Sequence, residues 1–156
     1  MITKDFHIQY VEYSWEEFAM LPEHQLYEVA HQAAVQAYAP YSGFHVGAAI
    51  QLDDGRVFWA SNQENKAYPS GICAERAVIY YVQANYPGQT IQKLLLVANH
   101  ESLQTDEPVY PCGACRQVLV EAEERQKSPI EIWMTGKNRV HQVQSCSDLL
   151  PLKFIL

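Results

Sequence analysis

The residues able to do chemistry gather in two short stretches, C-A-E-R at 73–76 and P-C-G-A-C-R-Q at 111–117. Together they hold three of the chain's four cysteines. A thiolate serves as metal ligand or nucleophile only where its charge is stabilised, and the free N–H groups at a helix start do this. Cys112 and Cys115 are spaced to grip one Zn²⁺ from the first turn of a helix, and Cys73, at the start of another, supplies a third thiolate. Three protein ligands leave one position open, which is the pattern of a catalytic rather than a structural zinc. Glu75, two positions after Cys73, points into the same space without being a ligand, where a general acid/base must stand. Three thiolates leave the centre with a net negative charge that blunts its power to acidify water. Arg76 and Arg116, each beside a ligand, are expected to donate hydrogen bonds to thiolate sulfurs and restore it.

Taken singly, the cysteines admit other readings. Cys73 alone suits a buried core position. C-x-x-C at a helix start also suits a redox dithiol, and Cys146 can close a structural four-cysteine site, although its polar S-C-S-D setting reads as incidental.

The rest of the chain bounds what such a site serves. Its 156 residues make one domain, able to bury roughly two thirds of the surface its unfolded form exposes. No apolar run approaches a membrane span, and the N-terminus M-I-T-K-D-F-H lacks the pattern of a secretory signal, so a cytoplasmic address with reduced thiols is expected. With 18 acidic against 11 basic residues, the formal charge of -7 repels a phosphate backbone. A small neutral substrate is expected, with no nucleic acid or membrane as partner.

The elements that must position the site emerge from periodicity. Alternation in residues 6–10 predicts a strand, and Ser14 with Glu17 makes a capping box ahead of a short helix. From Leu26 the apolar positions Val29, Ala30, Ala33, Ala34 and Ala37 recur at helical spacing until Pro40. Strands at 45–52 and 56–61 flank D-D-G, a hairpin signal. A helix from Cys73 or Ala74 to about Asn85 precedes the strand 93–99, which reads as buried on both faces. A second helix covers about 112–126, with strands 130–135 and 139–143 after it. One helical turn is predicted between Ser145 and Leu150. Alternation of strands and helices points to an α/β layered domain.

At this point the sequence resembles the zinc-dependent cytidine deaminases, the small class with three cysteine ligands. The resemblance runs from about Leu26 to Phe154 and is carried, in order, by A-Y-A-P-Y-S-G-F-H-V-G-A-A at 37–49, N-Q-E-N-K-A-Y at 62–68, G-I-C-A-E-R, P-C-G-A-C-R-Q and L-L-P-L-K-F at 149–154. Cysteine rather than histidine before A-E separates this class from deaminases of tRNA or deoxycytidylate. The resemblance implies a three-layer α-β-α fold with a mixed sheet of about five strands in a single domain, 1–156, in which residues 1–25 are an N-terminal embellishment. It implies one zinc held by Cys73, Cys112 and Cys115, with Glu75 shuttling protons. It also implies that Asn62 and Glu64 hold the sugar 3'-hydroxyl, a group that both donates and accepts. Phe44 would wall the base and the Ala74 N–H would bind the pyrimidine carbonyl. Relatives of this class are homotetramers, which would give Tyr68 and Phe154 roles across an interface.

The implied activity is the hydrolytic deamination of cytidine and 2'-deoxycytidine in pyrimidine salvage, a zinc-bound hydroxide attacking C4. Competing readings are a deaminase of a modified cytosine nucleoside, a zinc-stabilised binding protein and a dithiol oxidoreductase. Three departures from the family pattern stand out, one of them the extra N-terminal segment up to about Gln25. Lys66 replaces a small residue and suggests a more basic sugar end, and the chain ends F-I-L where relatives carry glycine and proline.

Overall fold

In the computed structural model, which describes residues 1–100 and 103–154, regular structure begins later than the alternation of Phe6, Ile8 and Tyr10 predicts. Strand β1 spans Val11–Ser14 and pairs antiparallel with the last strand, Val11 opposite Gln142 and Ser14 opposite Arg139. That partner ends at Val143, so residues 6–9 meet no ladder and remain exposed. The short helix α1 (Trp15–Ala19) starts on the expected capping box. The Ser14 hydroxyl accepts from the Glu17 N–H at 3.2 Å and the Glu17 carboxylate accepts from the Ser14 N–H at 2.9 Å.

Helix α2 (His24–Val35) lays its small residues Ala30, Ala33 and Ala34 against β2 (Phe44–Leu52), and all three are buried. The helix ends at Val35, short of Pro40. The hairpin from β2 to β3 (Val57–Ser61) turns at Gly55, whose φ of +84° is open to glycine at no steric cost. Then come α3 (Ala74–Asn85), β4 (Ile91–His100), the two-residue β5 (Leu103–Gln104), α4 (Gly113–Gln126), β6 (Glu131–Thr135) and β7 (Arg139–Val143). The predicted terminal turn is a 3-10 helix, Cys146–Leu149. Ile155 and Leu156 of the F-I-L end lie outside the described residues.

The strands form one sheet in the order β1-β7-β6-β4-β2-β3, with β5 pairing β4. Only β4 and β6 run parallel, so the sheet is mixed. It has six strands along this path where about five were expected, because the N-terminal segment adds β1 at the edge.

Strand β4 makes the three layers. Successive side chains leave a strand on opposite faces, and its run K-L-L-L-V-A is apolar on both. Leu94 and Leu96 pack with Val78, Ile79 and Leu119 of α3 and α4. Leu95 and Val97 pack on the other face with Phe18, Leu26 and Ala30 of α1 and α2. The three-layer α-β-α arrangement is therefore present, and it sets the first turns of α3 and α4 side by side.

A buried carboxylate ties α4 to the residue that leads into β6 and to the C-terminal turn. Glu123 is 8% exposed and accepts from the N–H groups of Ile130 and Cys146, both at 2.8 Å, and from the hydroxyls of Ser145 at 2.6 Å and Ser147 at 3.1 Å. Burial raises its pKa, but these hydrogen bonds outweigh it and hold Glu123 below the usual carboxylate value. Glu123→Ala leaves these donors unpaired and is expected to cost about 3 kcal/mol of stability in urea titrations. Because the folded pKa is the depressed one, the contribution is complete above about pH 5 and fades as pH falls through the folded value. The gap between wild type and variant is thus expected to narrow in acid; a widening gap would contradict this role.

Candidate active site

Cys73 and Cys112 are the residues immediately before α3 and α4, both in extended backbone conformation, and neither side chain caps its own helix. Their thiols are therefore free to face each other across the two helix starts. Cys115, one turn into α4, is fully buried beneath them. The three sulfurs lie within 4.8 Å of one another, with Cys112 and Cys115 at 3.5 Å. Tetrahedral zinc with Zn–S arms of about 2.3 Å holds sulfurs about 3.8 Å apart, so the donor type and spread fit that ion. Cys146 is not part of this group: it is buried in the core behind α4, where burial pushes its thiol pKa up.

The local electrostatics favour a thiolate. A hydrogen bond from Cys115 is the largest influence on Cys73, and with help from Arg76 it outweighs burial and Glu75 to bring the Cys73 thiol down to about 6. The same bond, followed by burial, keeps the proton on Cys115. The Arg76 guanidinium stands 3.9 Å from the Cys73 sulfur. Arg116 is employed differently. Its Nε donates to the Pro111 carbonyl at 2.8 Å and its Nη1 to the Leu149 carbonyl at 3.1 Å, bracing the loop before α4 against the C-terminal turn.

Glu75, on the first turn of α3, is only 4% exposed and faces a cavity of about 560 Å³ that also reaches Cys73 and Cys112. This is a normal size for a small-molecule site. Phe44, Asn62, Glu64 and Tyr68 line the same cavity. Ala74 is the first residue of α3, fully buried, and its N–H belongs to those a helix leaves without an internal acceptor.

The structure adds how two of these side chains are held. The Asn62 amide accepts from the Val46 N–H at 2.7 Å and donates to the Phe44 carbonyl at 2.9 Å, which leaves its second N–H. Glu64 accepts from the Ser42 hydroxyl at 2.6 Å and the Tyr41 N–H at 2.9 Å, and these bonds, Ser42 first, hold it below the usual carboxylate value. Tyr41, Ser42 and Tyr110 belong to the cavity wall as well, and the sequence reading assigned none of them a role in the site. Ser42 sits in A-P-Y-S-G, so its type suggested only a turn; its partner is 22 residues away. Lys66 is exposed and stands outside the lining, unlike its neighbours Glu64 and Asn65. Phe154 does not reach the cavity within its own chain. It is 67% exposed, and its backbone N–H donates to the Gln117 side chain at 3.3 Å.

Among the described residues no helix is long and apolar enough to cross a membrane.

The comparisons with known proteins agree with this geometry. The family model described as the cytidine and deoxycytidylate deaminase zinc-binding region matches residues 20–128. A cytidine deaminase of Mycobacterium tuberculosis is 46% identical over 92 residues, 59% of this chain and 65% of that protein. A cytidine deaminase of Sporosarcina psychrophila is 42% identical over 90 residues, 58% of this chain and 62% of the relative. The aligned stretches thus span slightly less than two thirds of these relatives' length. Among solved structures, cytidine deaminase from Burkholderia pseudomallei superposes with a TM-score of 0.70 at 38% identity, over 86% of this chain and all of that one. The enzyme from Mycobacterium tuberculosis gives 0.66 at 35% identity, over 87% and 99%.

Proposed function

The chain belongs to the cytidine and deoxycytidylate deaminase zinc-binding family, and from that membership we propose that it hydrolyses cytidine and 2'-deoxycytidine to uridine and 2'-deoxyuridine, releasing ammonia. One observation carries the reading: a buried carboxylate, Glu75, faces the same cavity as Cys73 and Cys112, two members of a cluster of three thiols. A purely structural zinc site has no use for that carboxylate, and a dithiol oxidoreductase leaves both Cys73 and Glu75 without a task.

Cys73, Cys112 and Cys115 would hold zinc, which when bound supplies the Lewis acidity that brings the pKa of water towards neutrality. Arg76 offsets the negative charge on Cys73. Glu75 takes a proton from the attacking water and passes it to N3 as C4 becomes tetrahedral. It then carries the second proton to the departing amine, so that water's oxygen stays on C4 and the nitrogen leaves as ammonia. Asn62 and Glu64 bind the sugar 3'-hydroxyl, their orientation set by β2 and by the loop at Ser42. Phe44 walls the base, and the Ala74 N–H donates to the pyrimidine carbonyl.

The same reading places the protein in the cytoplasm, in pyrimidine salvage, as a homotetramer. Tyr68 is 80% exposed and Phe154 lies exposed outside the lining of its own cavity, which suits side chains that serve a neighbouring subunit. Sedimentation is expected to give a particle of four chains of 17.8 kDa each; a monomer would remove the roles assigned to Tyr68 and Phe154. The activity itself is tested by incubating zinc-loaded protein with cytidine and following uridine and ammonia. Equimolar products are expected, and absence of both with either nucleoside would overturn the proposal.

A further inference from the structure

A hydrogen-bonded line runs from the N-terminal strand to the wall of the cavity. Glu12 of β1 sits opposite His141 of β7 in the ladder, and its carboxylate meets His141 Nε2 at 2.7 Å. His141 Nδ1 meets the Tyr110 hydroxyl at 2.6 Å. His141 is 7% exposed, partly because the Tyr10 ring packs on its imidazole at a centroid distance of 4.8 Å. Arg139 lies 3.6 Å from Glu12 and 3.6 Å from Glu107, closing the far side.

The carboxylate end fixes the direction of the first bond in this line. An ionised carboxylate only accepts, so Nε2 of His141 donates to Glu12, and Nδ1 on the other side of the ring pairs with the Tyr110 hydroxyl. The His141 bond is also the largest influence holding Glu12 below the usual carboxylate value, so that carboxylate stays an acceptor. Tyr110 itself lines the cavity with Val109 and Cys112. With its hydroxyl committed to His141, what it offers the cavity is its ring.

We propose that Glu12 and His141 are positioning residues that lock the Tyr110 ring as an aromatic wall of the nucleoside cavity, so that the N-terminal strand sets substrate affinity. This rests on the cytidine deaminase reading. Tyr110 is 46% exposed, and without its tether the ring regains side-chain freedom that binding must then remove. Cys112 does not depend on the tether, because Arg116 holds the Pro111 carbonyl and α4 begins at the next residue. The metal cluster is therefore independent of this line, and the substrate wall is not.

The test compares Tyr110→Phe, Glu12→Ala, Glu12→Gln and the Glu12→Ala/Tyr110→Phe pair with wild type. Tyr110→Phe keeps the ring and removes only the hydroxyl. It is expected to raise KM for cytidine and the calorimetric Kd for uridine about three- to tenfold with kcat changed less than about twofold, the pattern of lost ground-state binding. One zinc per chain is retained. Glu12→Ala does the same, Glu12→Gln restores most of the affinity, and the double variant is no worse than Tyr110→Phe because the two act through one line. An unchanged KM and Kd in Tyr110→Phe, or additive effects in the pair, would overturn the relay while leaving an active wild type. A wild type that neither deaminates cytidine nor binds uridine would overturn the relay and the proposed function together.

Discussion

Glu75→Gln is expected to reduce deamination by at least about a hundredfold, and by up to about ten thousandfold, the range for a positioned proton-transfer group. Glutamine keeps the shape and can still donate and accept hydrogen bonds, but it neither takes a proton from water nor delivers one to N3. Because Glu75 faces the cavity from the first turn of α3 and is not one of the three clustered sulfur ligands, the variant should hold about one zinc per chain and unfold close to wild type. Ammonia release, zinc content and thermal unfolding together make the check. Loss of zinc with activity intact would reverse the roles assigned here, and full activity with zinc bound would remove Glu75 from the mechanism.

The largest expected effect on stability lies away from the site, at Gly47 of β2. A Cβ built there stands 1.9 Å from the Ala30 carbonyl oxygen and 2.5 Å from the Ala34 nitrogen, both backbone atoms of α2. No rotamer change relieves a clash with backbone, so the helix must lift from the sheet and open the layer that holds Phe18, Leu26 and Leu95. Gly47→Ala is expected to cost on the order of 4 kcal/mol or more, a large share of the roughly 5–15 kcal/mol that holds a domain folded. Gly88→Ala is the control: its Cβ meets nothing within 4 Å, and a change within about 0.5 kcal/mol is expected. Equal urea midpoints for the two variants would refute the close approach of α2 to β2.

The zinc cluster was legible because its members are local in pairs. Cys112 and Cys115 share one helical turn, Cys73 and Glu75 share another, and helix starts can be read from composition. The helix and strand pattern was legible for the same reason: apolar periodicity records which face is buried. The boundaries of β1 were not. Alternation at Phe6, Ile8 and Tyr10 carries a strand preference, but a strand needs a partner, and β7 offers its ladder only to residues from Val11 onward.

Arg116 shows the same limit within the site. Its place beside Cys115 suggested a sulfur contact, yet adjacent residues on a helix point about 100° apart, and the side chain finds the carbonyls of Pro111 and Leu149 instead. Motif order alone likewise left open how Asn62 and Glu64 are oriented. Their hydrogen-bond partners lie 16 to 23 residues away in sequence, on β2 and the loop before it.

By itself, then, the sequence determined the three-cysteine group able to hold a metal, the glutamate proposed to carry the proton, the layered α/β class and the family, because these depend on residue type and short-range spacing. Only the tertiary structure decided which side chains those residues meet. It joined Glu12 to His141 across 129 positions and His141 to Tyr110 across 31, since such contacts depend on strand register and helix docking, which short-range spacing does not record.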